Sequence, residues 1–297
     1  MEEIMLTAQD GYQLSLRLYE VPNPKGYVQL IHGMEEHQGR LSHLVNKLNL
    51  AGYTVLTSDM RGHGPNAPIH GYFAAKDGDK LLLEDYKLIT KWFMKRFNQT
   101  KIIIYGFSLG TLIIRNLLKT ESKHYKKVIL AGYPPYRKAI PLGIALTKFL
   151  QSVKGAEAYS PLMNVLSFAS YNWKIKNPKT PIDWVSKNSQ NIEDYLEDKN
   201  CGQGFRVAGF KDVFKLMQGI KSTNGYQNIN NCPILLIRGA DDPVTYGYKG
   251  AKWSKTQLKN AGFTNLEAID YPNCRHDIIH EEIKDYVIQD IIDFLNK

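Results

Sequence analysis

The sequence predicts an α/β protein: a mostly parallel central sheet flanked by helices, with a helical insertion before its late strands. Three observations predict it. Short apolar and β-branched runs alternate with stretches of helical spacing along most of the 297 residues. Strands joined through helices run parallel and are covered on both faces. The rhythm breaks between about residues 134 and 231, where prolines and asparagines punctuate short apolar pieces, and it then returns to the end of the chain.

Each element follows from its own pattern. "YQLSLRLYE" alternates as an antiparallel edge strand does. "YVQLIHG" and "YTVLTSD" read as buried strands that end in turn residues. Between them "LSHLVNKLNLAG" has helical spacing and a glycine placed to end the helix. Asp85 to Phe97 reads as a helix, "KIIIYGFS" as a strand, "LGTLIIRNLLKTE" as a helix and "KKVILAGY" as a strand. The irregular stretch holds Pro134, Pro135, Pro141, Pro161, Pro178 and Pro181 and the Asn-rich "STNGYQNINN". Short helices fit it, among them "PLGIALTKFLQSV" and "FRVAGFKDVFKLMQGI". "PILLIRGADD" restores the strand pattern, then come a helix over Tyr248 to Asn260, the strand "LEAIDY" and a helix from about Ile278 to Leu295. The domains expected are a core of 1–133 and 232–297 and a cap, or lid, of 134–231 set over the C-terminal edge of the sheet, where open α/β sheets bind ligands.

Composition narrows the class. The chain is 43% hydrophobic and 23% charged, an ordinary globular profile with enough residues for one large core. No apolar run reaches the roughly 18 residues that span a bilayer. The start, "MEEIMLTAQDGYQLSLRLYE", has no basic segment followed by an apolar one, so a cytoplasmic protein without a signal peptide is expected. Cys201, Cys232 and Cys274 are odd in number and far apart, which indicates neither a disulfide framework nor a zinc site. The net charge of +9 allows peripheral contact with an anionic membrane. No basic–aromatic motif accompanies it, so nucleic acid is not an expected partner.

The chemistry is carried by Gly106-Phe107-Ser108-Leu109-Gly110, set between a strand and a helix. A serine on that sharp turn stands above the sheet, and the following helix points its first N–H groups to the same place. A serine hydroxyl needs a base, and a base needs an orienting carboxylate; in such a sheet the chain order is serine, acid, histidine. His276, in "YPNCRHDIIH", lies past the last strand, while His280 should already be a solvent-facing residue of the final helix. Asp241 and Asp242 compete for the acid; Asp242 is favoured because Asp242-Pro243-Val244 carries it farther over the sheet edge, with Asp241 a capping neighbour. Two backbone N–H groups should form an oxyanion hole: Leu109, after the serine, and Met34, in "HGMEEH". His32 and His63 read as loop organisers, and no spacing of partners around His63 suggests a metal.

"HGMEEHQGR", "GYTVLTSDMRGHG", "GFSLG", "GADDPV" and "RHDIIHE" resemble the blocks of the monoacylglycerol lipase and lysophospholipase branch of the α/β-hydrolase superfamily. The resemblance runs from about Gly11 to Leu295 and is weak over the cap. It implies the α/β-hydrolase fold and a serine hydrolase that cleaves carboxylic esters of single-chain lipids or smaller acyl esters through an acyl-enzyme, with no cofactor and no metal. It also implies Met34 and Leu109 as the oxyanion hole. The sequence departs at Glu35, where these enzymes often carry glycine, and after "RGHG". Two other readings compete. A peptidase or amidase of the proline-iminopeptidase type would carry a Gly-Pro-rich oxyanion loop, which "HGMEEH" is not. An inactive binding module would lack a member of the triad.

Overall fold

The computed structural model describes residues 1–226 and 229–297. Gln227 and Asn228, within the Asn-rich stretch noted above, lie outside the described residues. The strands are β1 (Glu2–Thr7), β2 (Gln13–Tyr19), β3 (Gly26–Ile31), β4 (Tyr53–Ser58), β5 (Ile102–Phe107), β6 (Tyr125–Ala131), β7 (Ile234–Gly239) and β8 (Leu266–Tyr271). They form one sheet in the order β1-β2-β4-β3-β5-β6-β7-β8. From β4 to β8 all neighbours are parallel, and β2 alone runs against the rest, pairing antiparallel with both β1 and β4. The helices are α1 (Ser42–Leu50), α2 (Gly78–Arg96), α3 (Leu109–Glu121), α4 (Ile140–Lys154), α5 (Pro161–Asn164), α6 (Ser170–Asn172), α7 (Ser189–Glu197), α8 (Val207–Gly219), α9 (Gly247–Asn260) and α10 (Lys284–Asn296).

The sheet divides two apolar layers, as its alternation requires. In β5, Ile102 and Ile104 join the layer under α2, α3 and α8, while Ile103, Tyr105 and Phe107 join the layer under α1 and α10. Each such side chain contributes about 1.5–3 kcal/mol when fully buried. The longest connection leaves β6 and returns at β7 through α4 to α8. Of these, α8 packs against α2, α3 and α4.

Three elements differ from the sequence reading. The strand "YQLSLRLYE" is not at the edge: β1 pairs along its whole length and takes the edge position. The reason is visible in β1 itself, whose Glu2 and Glu3 are exposed and discourage further pairing. Helix α2 begins at Gly78, seven residues before Asp85, because Leu82, Tyr86, Ile89 and Phe93 make one buried face. The last helix begins at Lys284; Ile278–His280 is a separate single turn held by side-chain bonds described below.

Arg61, in the loop after β4, fastens three segments. Its guanidinium donates to both oxygens of Asp85 on α2, at 2.6 and 2.7 Å, and to Asp10 of the β1–β2 turn at 2.8 Å. Its carbon also lies 4.8 Å from the centre of the Tyr12 ring. This clamp ties the loop after β4 to α2 and to the β1–β2 turn. No helix among the described residues is long and apolar enough to cross a membrane.

Candidate active site

Ser108 links β5 to α3 with φ 49° and ψ −110°, a left-handed backbone unusual outside glycine. The turn closes through the Ser108 N–H, which donates to the Ala131 carbonyl of β6 at 2.9 Å. The flanking glycines are needed because the chain is crowded there. A Cβ at Gly106 would lie 2.7 Å from the Gly110 carbonyl carbon, and one at Gly110 would lie 2.7 Å from the Ile31 carbonyl oxygen. The turn can therefore keep this packing only with bare backbone on both sides.

The structure brings Ser108, His276 and Asp242 together from three loops. Ser108 Oγ lies 2.8 Å from His276 Nε2, and His276 Nδ1 lies 2.9 Å from Asp242 Oδ2. Because Asp242 can only accept, Nδ1 is assigned the proton and Nε2 the lone pair. The other Asp242 oxygen accepts the Val244 N–H at 2.8 Å, which fixes the carboxylate. Asp241 turns outward instead, its side chain half exposed and 2.6 Å from Lys187 Nζ. The imidazole sits between Phe107, 4.8 Å away, and Trp184, 5.5 Å away, ring centre to ring centre. A hydroxyl bonded to an imidazole that is held by a buried carboxylate can lose its proton as it attacks an electrophile.

Met34 and Leu109 both line the cavity that opens at Ser108. Neither amide N–H donates to another group among the described residues. His32 organises the Met34 loop: its Nδ1 bonds the Gly33 carbonyl at 2.7 Å, and its Nε2 accepts the Met60 N–H at 3.0 Å. Burial holds the ring neutral, with its pKa well below the usual range. His63 packs edge-on against His32, and burial brings its pKa down to about 4. Both rings are structural.

Behind this loop lies an ionic network that sequence patterns did not isolate. Glu36 accepts the Gly33 N–H at 2.5 Å and stands 3.4 Å from Arg40. Arg40 donates to Asp277 at 3.1 Å and to Asn191 of α7 at 2.5 Å. His280 is not a solvent-facing helical residue: it contacts Asp277 at 2.8 Å and the Arg40 carbonyl at 2.9 Å. Burial would raise the Asp277 carboxyl, but His280 and Arg40 hold it far below the usual range. The network joins the Met34 loop to the residue after His276. Its only sequence trace was that Glu36, Arg40, Asp277 and His280 fall inside two of the quoted blocks.

The cavity has a volume of about 310 Å³. Leu112, Ile140, Leu146, Phe168, Val213 and Phe214 are among its apolar walls, drawn from α3, α4 and α8 and the segment between. Its polar members include Glu35, Ser108, Tyr171, Tyr195 and His276. Among the described residues, one cluster has the makeup of a metal site: His37, Asp198 and Cys201, with donor atoms within 4.8 Å of one another. Those donors are already engaged, since His37 bonds Asp198 at 2.7 Å and accepts the Gly39 N–H at 3.2 Å. Burial also raises the Cys201 thiol far above its ordinary range, which disfavours the thiolate a metal needs.

Residues 22–283 match the protein family described as serine aminopeptidase, S33. The chain is 21% identical over 279 residues to a monoacylglycerol lipase of Mycolicibacterium smegmatis, covering 92% of this chain and 89% of that protein. It is 24% identical over 242 residues to an uncharacterized abhydrolase domain-containing protein of Dictyostelium discoideum, and that match covers 81% of the chain but only 23% of the longer protein. Its backbone is similar to that of a thermostable carboxyl esterase from Bacillus coagulans, with a TM-score of 0.92 and 24% identity over 99% of this chain and 97% of that one. The last likeness is one of fold.

Proposed function

The chain belongs to the serine aminopeptidase S33 family of α/β-hydrolases, and from that premise we propose that it is a serine-dependent carboxylic ester hydrolase acting on single-chain lipids or smaller acyl esters. One observation carries the reading: the 2.8 Å contact of Ser108 Oγ with His276 Nε2 at the mouth of a mainly apolar cavity of about 310 Å³.

In the proposed mechanism His276 takes the Ser108 proton as Oγ attacks the ester carbonyl. Asp242 holds the tautomer and stabilises the imidazolium that forms. The oxyanion rests on the N–H groups of Met34 and Leu109, where loss of one donor typically costs about 3 kcal/mol of barrier. The alcohol leaves with the proton from His276, and water then cleaves the acyl-enzyme by the same relay. The reading calls for no cofactor. Residues 134–231 serve as the cap that walls the acyl site. On α4, Leu142, Phe149 and Val153 are each at least 64% exposed, which suits contact with a lipid surface. Sedimentation with anionic vesicles at low salt tests that contact.

The family's description favours one second reading, cleavage of an aminoacyl amide. Hydrolysis of p-nitrophenyl esters from acetate to palmitate, beside aminoacyl p-nitroanilides, separates the two. Turnover of esters by the native protein and its loss in Ser108→Ala support the proposal. Turnover of anilides alone would replace it with the peptidase reading.

A further inference from the structure

Glu35 is a charged residue in a place that favours glycine. Its φ is 59°, in the left-handed region, so the side chain is held at a backbone cost. The neighbouring chain fixes that backbone: Tyr195 Oη and the Gly202 N–H both donate to the Glu35 carbonyl, at 2.8 and 3.0 Å. The side chain lines the same cavity as Ser108 and His276. Its Oε1 is buried and has no hydrogen-bond partner among the described residues. Its neighbour Glu36, by contrast, is fully engaged with Gly33 and Arg40. Burial alone pushes the Glu35 carboxyl up to about 7, and no protein cation offsets it.

A buried polar group without a protein partner is costly unless a ligand supplies one. We propose that Glu35 is a specificity residue that reads a hydroxyl group on the alcohol half of the ester. This rests on the ester-hydrolase reading and names the part of the substrate that the cavity recognises. Glu35 follows Met34, the proposed oxyanion donor, and lines the cavity with Ser108, so its backbone belongs to the loop that would hold the reacting carbonyl. A hydroxyl suits it better than a cation. A hydroxyl donates to the carboxylate and accepts from the protonated acid, so it is bound in both states, whereas a cation pairs only with the ionised form.

The test uses three octanoyl esters that differ only in the alcohol: 1-octanoylglycerol, methyl octanoate and octanoylcholine. For the native protein, kcat/KM for the glycerol ester should exceed that for the methyl ester by about tenfold or more, the worth of one hydrogen bond to a site built for it. Glu35→Gly, which suits the left-handed backbone, should abolish that ratio. Glu35→Gln, which keeps both donor and acceptor, should restore most of it. The same esters titrated into Ser108→Ala protein read the preference without turnover. Preference in that binding assay without turnover by the native protein would overturn the serine-hydrolase reading and leave Glu35 its role. Turnover with the same glycerol-to-methyl ratio in native and Glu35→Gly proteins overturns this proposal, as does a native preference for the choline ester or a failure of Ser108→Ala to distinguish the esters.

Discussion

Arg61 and Asp85 hold one another through two N–H···O bonds, with side chains only 1% and 3% exposed. Such a pair is more costly to break than it is stabilising to make, because the partner left behind is a buried, uncompensated charge. Arg61→Ala should lower the unfolding free energy by about 3–5 kcal/mol, read from urea titration. A loss under about 1 kcal/mol would show that water already reaches the pair.

Asp241 and Asp242 are adjacent, yet only one can hold His276. Asp242→Asn offers the imidazole an amide in place of a carboxylate and should reduce kcat on p-nitrophenyl esters by about 10⁴-fold, the scale known for this change in serine proteases. Asp241→Asn loses a half-exposed contact with Lys187 and should alter stability by less than about 1 kcal/mol, with kcat nearly intact. If the two variants exchange phenotypes, Asp241 is the acid in solution.

Gly110 packs against the end of β3, from which the Met34 loop departs. Gly110→Ala sets a methyl group 2.7 Å from the Ile31 carbonyl oxygen and 3.0 Å from that of His32. Both contacts are backbone and cannot rotate away, so the serine turn and the Met34 loop must separate. A shift near 1 Å costs about 10²-fold in rate. Steady-state kinetics of Gly110→Ala should show that loss in kcat, with folding intact by circular dichroism. Unchanged kcat would mean that Met34 takes no part.

Asp212, on α8, has a side chain with no exposure, and Lys215 Nζ is 3.8 Å away. Burial, and then the nearby Asp79, push its pKa up to about 7. In the unfolded chain it ionises near 3.8, so between those values the unfolded state holds fewer protons. The stabilising contribution of Asp212 should be full below about pH 4, fall as pH rises toward 7, and level off above. Asp212→Asn removes the share of the slope that Asp212 contributes, leaving that of the buried Glu35, and should be more stable than the native protein at pH 8 by up to about 4 kcal/mol. Urea midpoints at pH 5 and 8 check this; a native protein equally stable at both, with the variant no better, contradicts it.

Local pattern reaches as far as local physics does. The Ile102–Phe107 strand and its glycine-flanked serine are neighbours in sequence, so their alternation and spacing identify them directly. Asp242 and His276 follow because each lies in the loop after a strand whose direction the βα rhythm fixes. Arg40, Asn191 and Asp277 meet across 86 to 237 positions, and no period in the chain encodes that meeting. Trp184 reaches the imidazole from an irregular, proline-punctuated segment, where a lone aromatic has no repeating signal. The start of α2 was hidden because "DGD" resembles a turn, and packing of Leu82 overrides it. Strand β1 was hidden because its charges resemble a tail, although they are what an edge requires.

The backbone of Ser108 carries a further consequence. At φ 49° it occupies ground where glycine is at home, so the fold and the chemistry set opposing demands on a single position. Laboratory evolution for heat resistance alone would drift toward glycine at 108 and lose the hydroxyl without any penalty in folding. The nucleophile role proposed for Ser108 would hold the serine against that drift, and a thermostability screen would then need an activity gate at this one codon.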